Sequence, residues 1–334
     1  MQNDSPLIWV LADDKAGHRH QALGVAQALK LPCVTKQLAY TRLAGLPNFL
    51  KCGALLGITP ETQKLLTPPW PDVVIAAGRR TAPVARAIKR WNKGKTFLAQ
   101  LMWPGAPVWG FDLIAVPEHD GIAASDLVIT TIGAPHHLAP ALLIPAKEEW
   151  QTVVEHLPRP RIAVLVGGTV GKKGEFTGDE AAHIGYIASR IAGQAEGSLL
   201  VSTSRRTPPL AVKWLKESIA CAHTWYEYQE GSPNPYLGFL ASADAIIVTG
   251  DSVSMCSEAC FMGKPVFIHV PGNLPAKHRK FLDHLFAEGY AQPLPEGEAL
   301  PAAESWQGRD GRKLDEAFGV AAEIRKRLNK KNEG

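Results

Sequence analysis

The stretch Ala243–Pro271 decides the fold, and it reads A-D-A-I-I-V-T-G-D-S-V-S-M-C-S-E-A-C-F-M-G-K-P-V-F-I-H-V-P. An apolar run, Ala245–Val248, ends at the polar loop Thr249-Gly250-Asp251-Ser252. A helix-like segment follows, and after a Gly-Lys-Pro stop a second apolar run covers Val266–Val270. Strand, loop, helix and strand in this order predict one βαβ unit of a parallel sheet. The loop then lies at the carboxyl end of its strand, the edge where open α/β sheets bind ligands.

This loop offers groups that suit a nucleotide or a nucleotide sugar. The N-terminus of a helix presents unpaired N–H groups and a positive dipole end to an anion. Asp251 and Ser252 are both suitable N-cap residues. Glu258 lies within the first two turns, where its carboxylate can accept a hydrogen bond from a sugar hydroxyl.

Composition narrows the classes of function. The chain has 334 residues, which favours two domains, and a formal net charge of +4. This mild charge gives no case for a nucleic-acid binder, although it suits anionic substrates or a loosely engaged membrane face. The five cysteines show no metal-ligand spacing, which fits a reducing cytoplasm. No signal peptide or membrane-spanning stretch is recognised, so we expect a soluble cytoplasmic protein.

Short apolar runs alternate with helical patterns along the chain, as is typical of α/β proteins. The pattern predicts two Rossmann-like domains facing a cleft, residues 1–150 and 151–311, and a C-terminal helix over 312–334 that packs back on them. The proline-containing stretch 144–161 is interpreted as the linker between the domains. The predicted strands are Leu7–Leu11, Val73–Ala77, Phe97–Leu101, Leu113–Val116, Ile162–Val166, Leu199–Ser202 and Ala222–Tyr226, with weaker candidates near Val34 and Val128. The helical spacing at the C-terminus involves Leu314, Phe318, Ala321, Ile324 and Leu328.

In the first domain, the first strand runs into Asp13-Asp14-Lys15-Ala16-Gly17-His18. A single glycine here means that the dinucleotide fingerprint is absent, which argues against NAD. His18 faces the carboxyl edge of the sheet and is a candidate general base, or it merely caps or packs against the loop. Asp14 and Glu118 are the other candidate catalytic residues, and Asp120 is a reserve beside Glu118.

Two further stretches of the first domain leave alternatives open. The helix after Gly78 has a basic side, either a solvated face or a site for an anionic acceptor or lipid surface. Its cations are Arg79, Arg80, Arg86, Lys89, Arg90 and Lys93. The apolar segment Leu43–Trp70 is interpreted either as a flap that touches an apolar acceptor or the membrane interface, or as ordinary core.

In the second domain, three loops at corresponding strand ends predict a phosphate-containing ligand. Gly167-Gly168-Thr169 allows backbone amides to approach a phosphate closely. Thr203-Ser204-Arg205-Arg206 combines hydroxyl donors with two fixed cations, and arginine suits bidentate phosphate contacts. The loop of Asp251, Ser252, Ser254 and Glu258 is the third. Since no acidic pair stands out as a metal site, cations and helix dipoles are expected to neutralise a diphosphate.

Five motifs occur in order along nearly the whole chain: D-K-A-G-H-R-H-Q-A-L-G, V-I-A-A-G-R-R-T-A-P-V-A-R, F-D-L-I-A-V-P-E-H-D, S-T-S-R-R-T-P and V-T-G-D-S-V-S-M-C-S-E-A. On this set the chain resembles the Elm-type mitochondrial fission family, whose members usually carry asparagine where this chain has His20. The family resembles GT-B glycosyltransferases. The last motif is also similar to the donor-site helix of the transferase that adds N-acetylglucosamine to the lipid-linked peptidoglycan precursor.

The resemblance implies that Glu258 contacts the donor ribose and that Ser252 and Ser254 lie near the diphosphate. It also matches Gly167-Gly168 to the glycine loop of that transferase, and His18 to the histidine of its N-terminal loop. The implied activity is hexosyl or N-acetylhexosaminyl transfer from a nucleotide-diphosphate sugar, without metal or other cofactor. The acceptor would be a cell-envelope glycan or lipid-linked sugar at the inner face of the membrane.

Two other functions compete with this one. A non-catalytic nucleotide-binding adaptor at a membrane surface is the alternative, because the plant relatives are named for fission. A nucleotide-sugar epimerase is disfavoured, because it would normally need a nicotinamide cofactor and a Tyr-x-x-x-Lys pair, and neither is found.

Overall fold

The computed structural model describes residues 5–48, 55–169, 175–295 and 313–333. The chain divides into two compact units. The first consists of Met1–His137 together with Asp315–Gly334, and the second of Leu138–Leu314. Each unit is built on its own six-stranded parallel sheet with flanking helices, which confirms the predicted α/β class and the two Rossmann-like domains.

The first unit contains a sheet in the order β2-β1-β3-β4-β5-β6. All neighbouring strands are parallel, so their carboxyl ends share one edge. The strands are β1 (Ile8–Ala12), β2 (Cys33–Gln37), β3 (Val73–Ala77), β4 (Phe97–Leu101), β5 (Leu113–Pro117) and β6 (Val128–Thr131). The helices are α1 (Ala16–Ala28), α2 (Pro60–Lys64), α3 (Ala82–Trp91) and, at the end of the chain, α11 (Glu316–Glu333), with 3₁₀ turns at Arg42–Gly45 and Glu118–Asp120.

Alternate residues of each strand enter the two apolar layers on either side of this sheet. In β1, Ile8 and Val10 pack into the layer shared with α1 and α11, whereas Trp9 and Leu11 pack into the layer shared with α3. Strands buried on both faces appear as continuous apolar runs. The edge strand β2 is mostly exposed, which explains why its sequence signal near Val34 is weak.

The C-terminal helix α11 completes the core of the first unit. Its residues Ala321 and Ile324 are fully buried there, and Leu328 packs against them at the predicted helical spacing. Phe318, which was predicted to lie on the same face, is 57% exposed. The helix begins at Glu316 rather than at residue 312, and the Glu316 carboxylate accepts hydrogen bonds from the N–H groups of residues 132 and 133.

The second unit contains a sheet in the order β12-β11-β10-β7-β8-β9, again parallel throughout. Its strands are β7 (Arg161–Leu165), β8 (Ser198–Ser202), β9 (His223–Tyr226), β10 (Ala245–Thr249), β11 (Val266–His269) and β12 (Gln292–Pro293). Its helices are α4 (Pro140–Glu149), α5 (Gln151–Val154), α6 (Gly178–Gln194), α7 (Pro209–Ser218), α8 (Tyr236–Ser242), α9 (Val253–Phe261) and α10 (Ala276–Ala287). The βαβ unit predicted from Ala243–Pro271 is β10-α9-β11, with β10 and β11 adjacent and parallel.

The interpretation of residues 144–161 as a linker is wrong. Helices α4 and α5 occupy most of this stretch, with Pro140 at the start of α4 and Pro145 inside it. The ring of Trp150 packs edge-on against Phe239 of α8, so the stretch belongs to the second unit. The chain therefore enters the second unit after His137, and not at residue 150.

The segment Leu43–Trp70 is partly buried and partly exposed. Ala44 and Leu66 are buried, whereas Leu43, Leu56 and Leu65 are between two-fifths and three-fifths exposed. Residues 49–54 of this segment lie outside the described residues. Among the described residues, no helix combines the length and the apolar composition needed to span a bilayer.

Candidate functional site

The glycine loop after β7 lies at the carboxyl edge of the second sheet. Its backbone N–H groups are used within the protein. Gly167 donates to Oγ1 of Thr249 over 2.7 Å, and Gly168 donates to Oδ2 of Asp251 over 2.9 Å. The N–H of Thr169 donates to the carbonyl oxygen of Arg206 over 3.2 Å. In this conformation the three amides that were predicted to approach a phosphate are therefore engaged within the protein.

Close packing explains why both positions are glycine. A Cβ atom at Gly167 would lie 2.3 Å from the Asp251 carboxylate, and one at Gly168 would lie 2.0 Å from the Arg206 carbonyl oxygen. Gly168 also has a φ of +156°, which side chains rarely adopt. The loop is therefore built to meet the β8 and β10 loops closely.

Ser204 and Arg206 anchor the loop after β8 to the glycine loop. Ser204 Oγ donates to the Gly167 carbonyl oxygen over 2.6 Å, and Nη2 of Arg206 lies 2.8 Å from Oδ2 of Asp251. Thr203 instead accepts a hydrogen bond from the N–H of Tyr228 and points away from this network. Arg205 is exposed and, among the described residues, forms no ion pair. Of the two predicted phosphate-binding cations, Arg206 is thus neutralised by Asp251 and Arg205 is available.

Helix α9 begins at the same edge. Ser252 is its N-cap and accepts a hydrogen bond from the N–H of Met255 over 3.4 Å, as predicted. Asp251 precedes the cap and is 5% exposed. Ser254 is half-buried in the first turn.

Glu258 is 8% exposed on the second turn of α9, where it meets Tyr236 at the start of α8. The Tyr236 hydroxyl donates a hydrogen bond to Oε2 of Glu258. Burial raises the pKa of Glu258 to about 7, although this hydrogen bond acts in the opposite direction. The pKa of Tyr236 is raised well above its ordinary value, by burial and then by Glu258, so the phenol remains a donor. The carboxyl group is thus poised between its two protonation states near neutral pH.

A pocket opens beside the glycine loop at this edge. Its walls come from the loops after β7, β10 and β11, and from the residues just before α6. They are Gly168, Glu175, Phe176, Asp251, Pro271, Asn273, Leu274 and Pro275. Residues 170–174, the lysine-bearing part of the predicted glycine-rich loop, lie outside the described residues.

The carboxyl edge of the first sheet carries an aspartate–histidine pair. Asp13 follows β1 and is fully buried, and its Oδ2 lies 2.8 Å from Nδ1 of His18 on the first turn of α1. The side chain of His18 is 19% exposed, so the ring is reachable from solvent. This geometry favours a positioned imidazole over a residue that only caps or packs against the loop.

The protonation of the pair follows from the surroundings of Asp13. Burial by itself would raise the Asp13 pKa, but hydrogen bonds from His18 and the Lys15 N–H, together with the Arg80 charge, lower it well below its usual range. Asp13 is therefore ionised, and its carboxylate accepts hydrogen bonds but cannot donate one. In the neutral imidazole, Nδ1 then carries the proton and Nε2 presents a lone pair, the form that a general base requires.

Arg80 and Gly78 hold this pair in place. The Arg80 guanidinium bonds to the carboxylates of Asp13 and Asp14 and lies 4.2 Å from the centre of the Tyr40 ring. Gly78 has a φ of +83°, and a Cβ atom there would lie 2.5 Å from Nδ1 of His18. The glycine thus makes room for the imidazole at the end of β3.

Asp14 and Glu118 do not join His18. The side chain of Asp14 is 52% exposed and is paired with Arg80. Glu118 follows β5, three strands from β1 in the sheet, or roughly 14 Å at the usual strand spacing. It accepts a hydrogen bond from Thr130 on the neighbouring strand over 3.3 Å. The carboxylate that contacts His18 is that of Asp13.

Several cations on the predicted basic side are bound within the unit. Arg86 is 3% exposed and donates to the Pro107 carbonyl oxygen, Lys89 pairs with Asp112 over 2.6 Å, and Arg80 pairs with the two aspartates. Arg79, Arg90 and Lys93 are exposed.

Sequence reasoning missed Asp13, Thr249 and Tyr236 as site residues. Asp13 and Asp14 are adjacent in the sequence, and only the direction of the strand end decides which one turns inward. Thr249 could have been found as the last residue of a strand that ends in the predicted loop. Tyr236 belongs to no motif and meets Glu258 across 22 residues of sequence.

Residues 16–328 match the family described as Mitochondrial fission ELM1.

The chain belongs to this ELM1 family.

Two relatives support the assignment. An uncharacterized protein of Rickettsia prowazekii (strain Madrid E) is 30% identical over 96% of this chain and 99% of its own length. The Mitochondrial fission protein ELM1 of Arabidopsis thaliana is 27% identical over 85% of this chain and 70% of its own length. The family resemblance drawn from the five motifs is thereby confirmed.

Solved structures show which fold this ELM1-family chain shares. MurG of Acinetobacter baumannii superposes with a TM-score of 0.51 at 15% identity, over 96% of this chain and 100% of its own. A UDP-GlcNAc 2-epimerase of Methanocaldococcus jannaschii gives 0.54 at 12% identity, covering 96% and 98%. These likenesses confirm the predicted GT-B-like fold with two Rossmann-like domains, a fold that these two proteins share.

The ELM1 match includes His18, Glu258 and the glycine loop, and begins three residues after Asp13. Within the described ranges, no three His, Cys, Asp or Glu side chains gather closely enough to hold a metal ion. Metal independence stays a prediction.

Proposed function

We propose that this ELM1-family chain is a glycosyltransferase that takes a sugar from a nucleotide-diphosphate sugar and passes it to a glycan or lipid-linked hydroxyl. The observation that carries the proposal is the pair of buried Asp13 and half-buried His18. A binding module has no need of an imidazole held in one tautomer by an ionised carboxylate. Acid–base chemistry does need it.

In the proposed reaction, Nε2 of His18 takes the proton from the acceptor hydroxyl as that oxygen attacks the anomeric carbon of the donor sugar. The bond from the anomeric carbon to the diphosphate oxygen breaks, and the nucleoside diphosphate leaves with the bonding electrons. Asp13 stabilises the imidazolium that forms. General-base assistance of this kind is worth about 10²- to 10⁴-fold in rate.

The donor would bind at the carboxyl edge of the second sheet. Glu258 would accept the ribose hydroxyls, as the family resemblance implies. The first turn of α9, with Ser252 and Ser254, would face the diphosphate, and a helix N-terminus favours an anion there. Arg205 would add a mobile cation, since Arg206 is paired with Asp251. The reaction needs no further cofactor.

The fold alone does not choose between transfer and epimerisation. The sequence disfavours a nicotinamide-dependent epimerase, but the fold is also similar to that of UDP-GlcNAc 2-epimerases. The transferase is favoured by the motif similarity around Glu258 and by a base suited to an acceptor hydroxyl.

The test begins with binding. Purified protein is screened by thermal shift against UDP-, GDP-, ADP-, CMP- and dTDP-sugars, together with Glu258→Ala and an exposed control, Glu217→Ala. A donor that binds the native state raises the melting temperature. We expect one nucleotide to stabilise the wild type and the control but not Glu258→Ala.

Turnover is then measured with the donor that binds. Chromatography follows release of the nucleoside diphosphate with and without candidate acceptors, and it separates transfer and hydrolysis from epimerised donor. We expect His18→Ala to lower turnover at least 100-fold while donor affinity changes little. Donor binding without any turnover would instead support the nucleotide-binding adaptor at a membrane surface, which the name of the Arabidopsis relative favours. Full activity of His18→Ala would remove the proposed base.

A further inference from the structure

We propose that Tyr236 is a positioning residue that orients Glu258, and favours its ionised form, so that the carboxylate accepts the two vicinal hydroxyls of a ribose. This inference rests on the proposed function for its ligand. Its physical basis is the hydrogen bond from the Tyr236 hydroxyl to Oε2 of Glu258.

Tyr236 is itself held firmly. Its backbone N–H donates to Oδ1 of Asn234 over 3.0 Å at the start of α8. Two residues on, Gly238 sits so close to Trp150 that a Cβ atom there would lie 2.7 Å from the indole ring. The start of α8 is therefore packed closely against Trp150, and the phenol of Tyr236 reaches Glu258 on α9 from there.

The hydrogen-bond capacity of Glu258 leaves room for a diol. An ionised carboxylate has about four acceptor positions on its two oxygens. The Tyr236 hydroxyl occupies one of them on Oε2, which leaves one on Oε2 and two on Oε1. Two adjacent sugar hydroxyls can therefore each donate to a different oxygen. A protonated Glu258 would lose this symmetry and present a competing donor.

The surroundings of Glu258 make its charge sensitive to Tyr236. Burial raises the pKa of Glu258 to about 7, and the Tyr236 hydrogen bond keeps the pKa from rising further. Among the described residues, Tyr236 on α8 is the titratable group that shifts the pKa of Glu258. Cys256, which lies on α9 with Glu258, contributes to the raised pKa of Tyr236, and Asp251 contributes to the raised pKa of Cys256. Removing the phenolic hydroxyl should therefore raise the pKa of Glu258 and leave it protonated at pH 7.

The experiment compares Tyr236→Phe with Tyr186→Phe, which loses the same hydroxyl from a half-exposed side chain of α6. In the ligand-free proteins, ¹³C NMR of labelled glutamate carboxyl groups follows the titration, with Glu258→Gln to assign the signal. In parallel, affinities for UDP, GDP, ADP and CDP and for their 2′-deoxy forms are measured from pH 6 to 9.

We expect the Glu258 midpoint to rise by about one unit in Tyr236→Phe and to stay constant in Tyr186→Phe. Such a rise lowers the ionised fraction at pH 7 from about one half to about one tenth, so affinity for the ribonucleotide should fall about fivefold. The loss should be recovered near pH 9. The 2′-deoxy form, which offers one hydroxyl fewer, should show a smaller loss.

An unchanged Glu258 midpoint in Tyr236→Phe would overturn the inference, as would an affinity loss that is equal at every pH. If the midpoint rises but none of the eight nucleotides binds, the control that Tyr236 exerts over the Glu258 charge stands, and the proposed nucleotide site fails.

Discussion

Asp251 occupies the anion-binding groups of the glycine loop. Its Oδ2 accepts the Gly168 N–H over 2.9 Å and lies 2.8 Å from Nη2 of Arg206. Its other oxygen, Oδ1, is buried and has no hydrogen-bond partner among the described residues. A backbone amide of a glycine loop and a guanidinium are the groups that would hold a phosphate. The protein therefore supplies its own anion at this point of the sheet edge.

Replacing Asp251 by asparagine should strengthen binding of a nucleoside diphosphate. The neutral side chain frees Arg206 from its ion pair with the buried Asp251. Because the Arg206 side chain is 36% exposed and solvent screens it, we expect a gain of about 1 kcal/mol, or about fivefold in affinity. Calorimetry with the nucleotide found in the screen measures the change. Asp179→Asn, which removes an exposed carboxylate at the start of α6, is the matched control. Weaker binding by Asp251→Asn would show that the carboxylate is needed to shape the loop.

Replacing Asp13 by asparagine should abolish most turnover and spare donor affinity. The amide donates to Nδ1 of His18, so the proton moves to Nε2 and the base is lost. In serine-protease triads the corresponding change costs about 10⁴-fold in turnover. Asp14→Asn tests the original sequence-based assignment, and we expect a much smaller loss from it because Asp14 contacts Arg80 and not His18. Equal losses in the two variants would contradict the assignment to Asp13.

Replacing Gly78 by alanine should displace His18. The left-handed backbone costs about 1–2 kcal/mol for any side chain, and the new Cβ atom would also lie 2.5 Å from Nδ1 of His18. Gly121→Ala is the control, because it has a φ of +73° and no atom within 4 Å of a built Cβ. Chemical denaturation should show a loss of stability in both variants. Only Gly78→Ala should also lose turnover.

Replacing His20 by asparagine should make the protein more resistant to mild acid. Burial, and then His137 and Arg19, lower the pKa of His20 to about 4 from an ordinary value of 6.5. The unfolded chain thus binds this proton more tightly than the native protein, so stability falls as pH drops from about 6.5 to about 4. The free energy of unfolding between pH 7 and 4.5 should therefore decline less steeply in His20→Asn. An identical slope would show that His20 is not a source of the acid sensitivity.

Much of the fold could be predicted because its determinants are local. Strands such as β3, β4 and β10 are buried along their full length, so each is a short continuous apolar run. Caps mark where helices begin: Thr177 and Glu180 form a capping box at the start of α6. Edge strand β12 is two exposed residues long, and no pattern of that length predicts a strand.

Helices that depend on distant partners escaped prediction. Helix α4 carries Pro145 in its interior, and none of its residues is fully buried. It forms because it lies against α8, and the proline-rich composition alone predicts a linker. The position of Phe318 shows the same limit, since helical spacing does not say how wide the buried face is.

The sequence by itself determined the two parallel sheets, the carboxyl edges that carry the polar loops, and the family. Only the tertiary structure decided which polar groups remain available at those edges. Gly168 and Asp251 are 83 residues apart, Arg80 and Asp13 are 67 apart, and Glu258 and Tyr236 are 22 apart. Periodicity and caps act within a few residues, whereas these pairs form because parallel strands bring distant loops to one edge. Whether an amide, a guanidinium or a carboxylate can meet a ligand therefore depends on contacts that no local pattern contains.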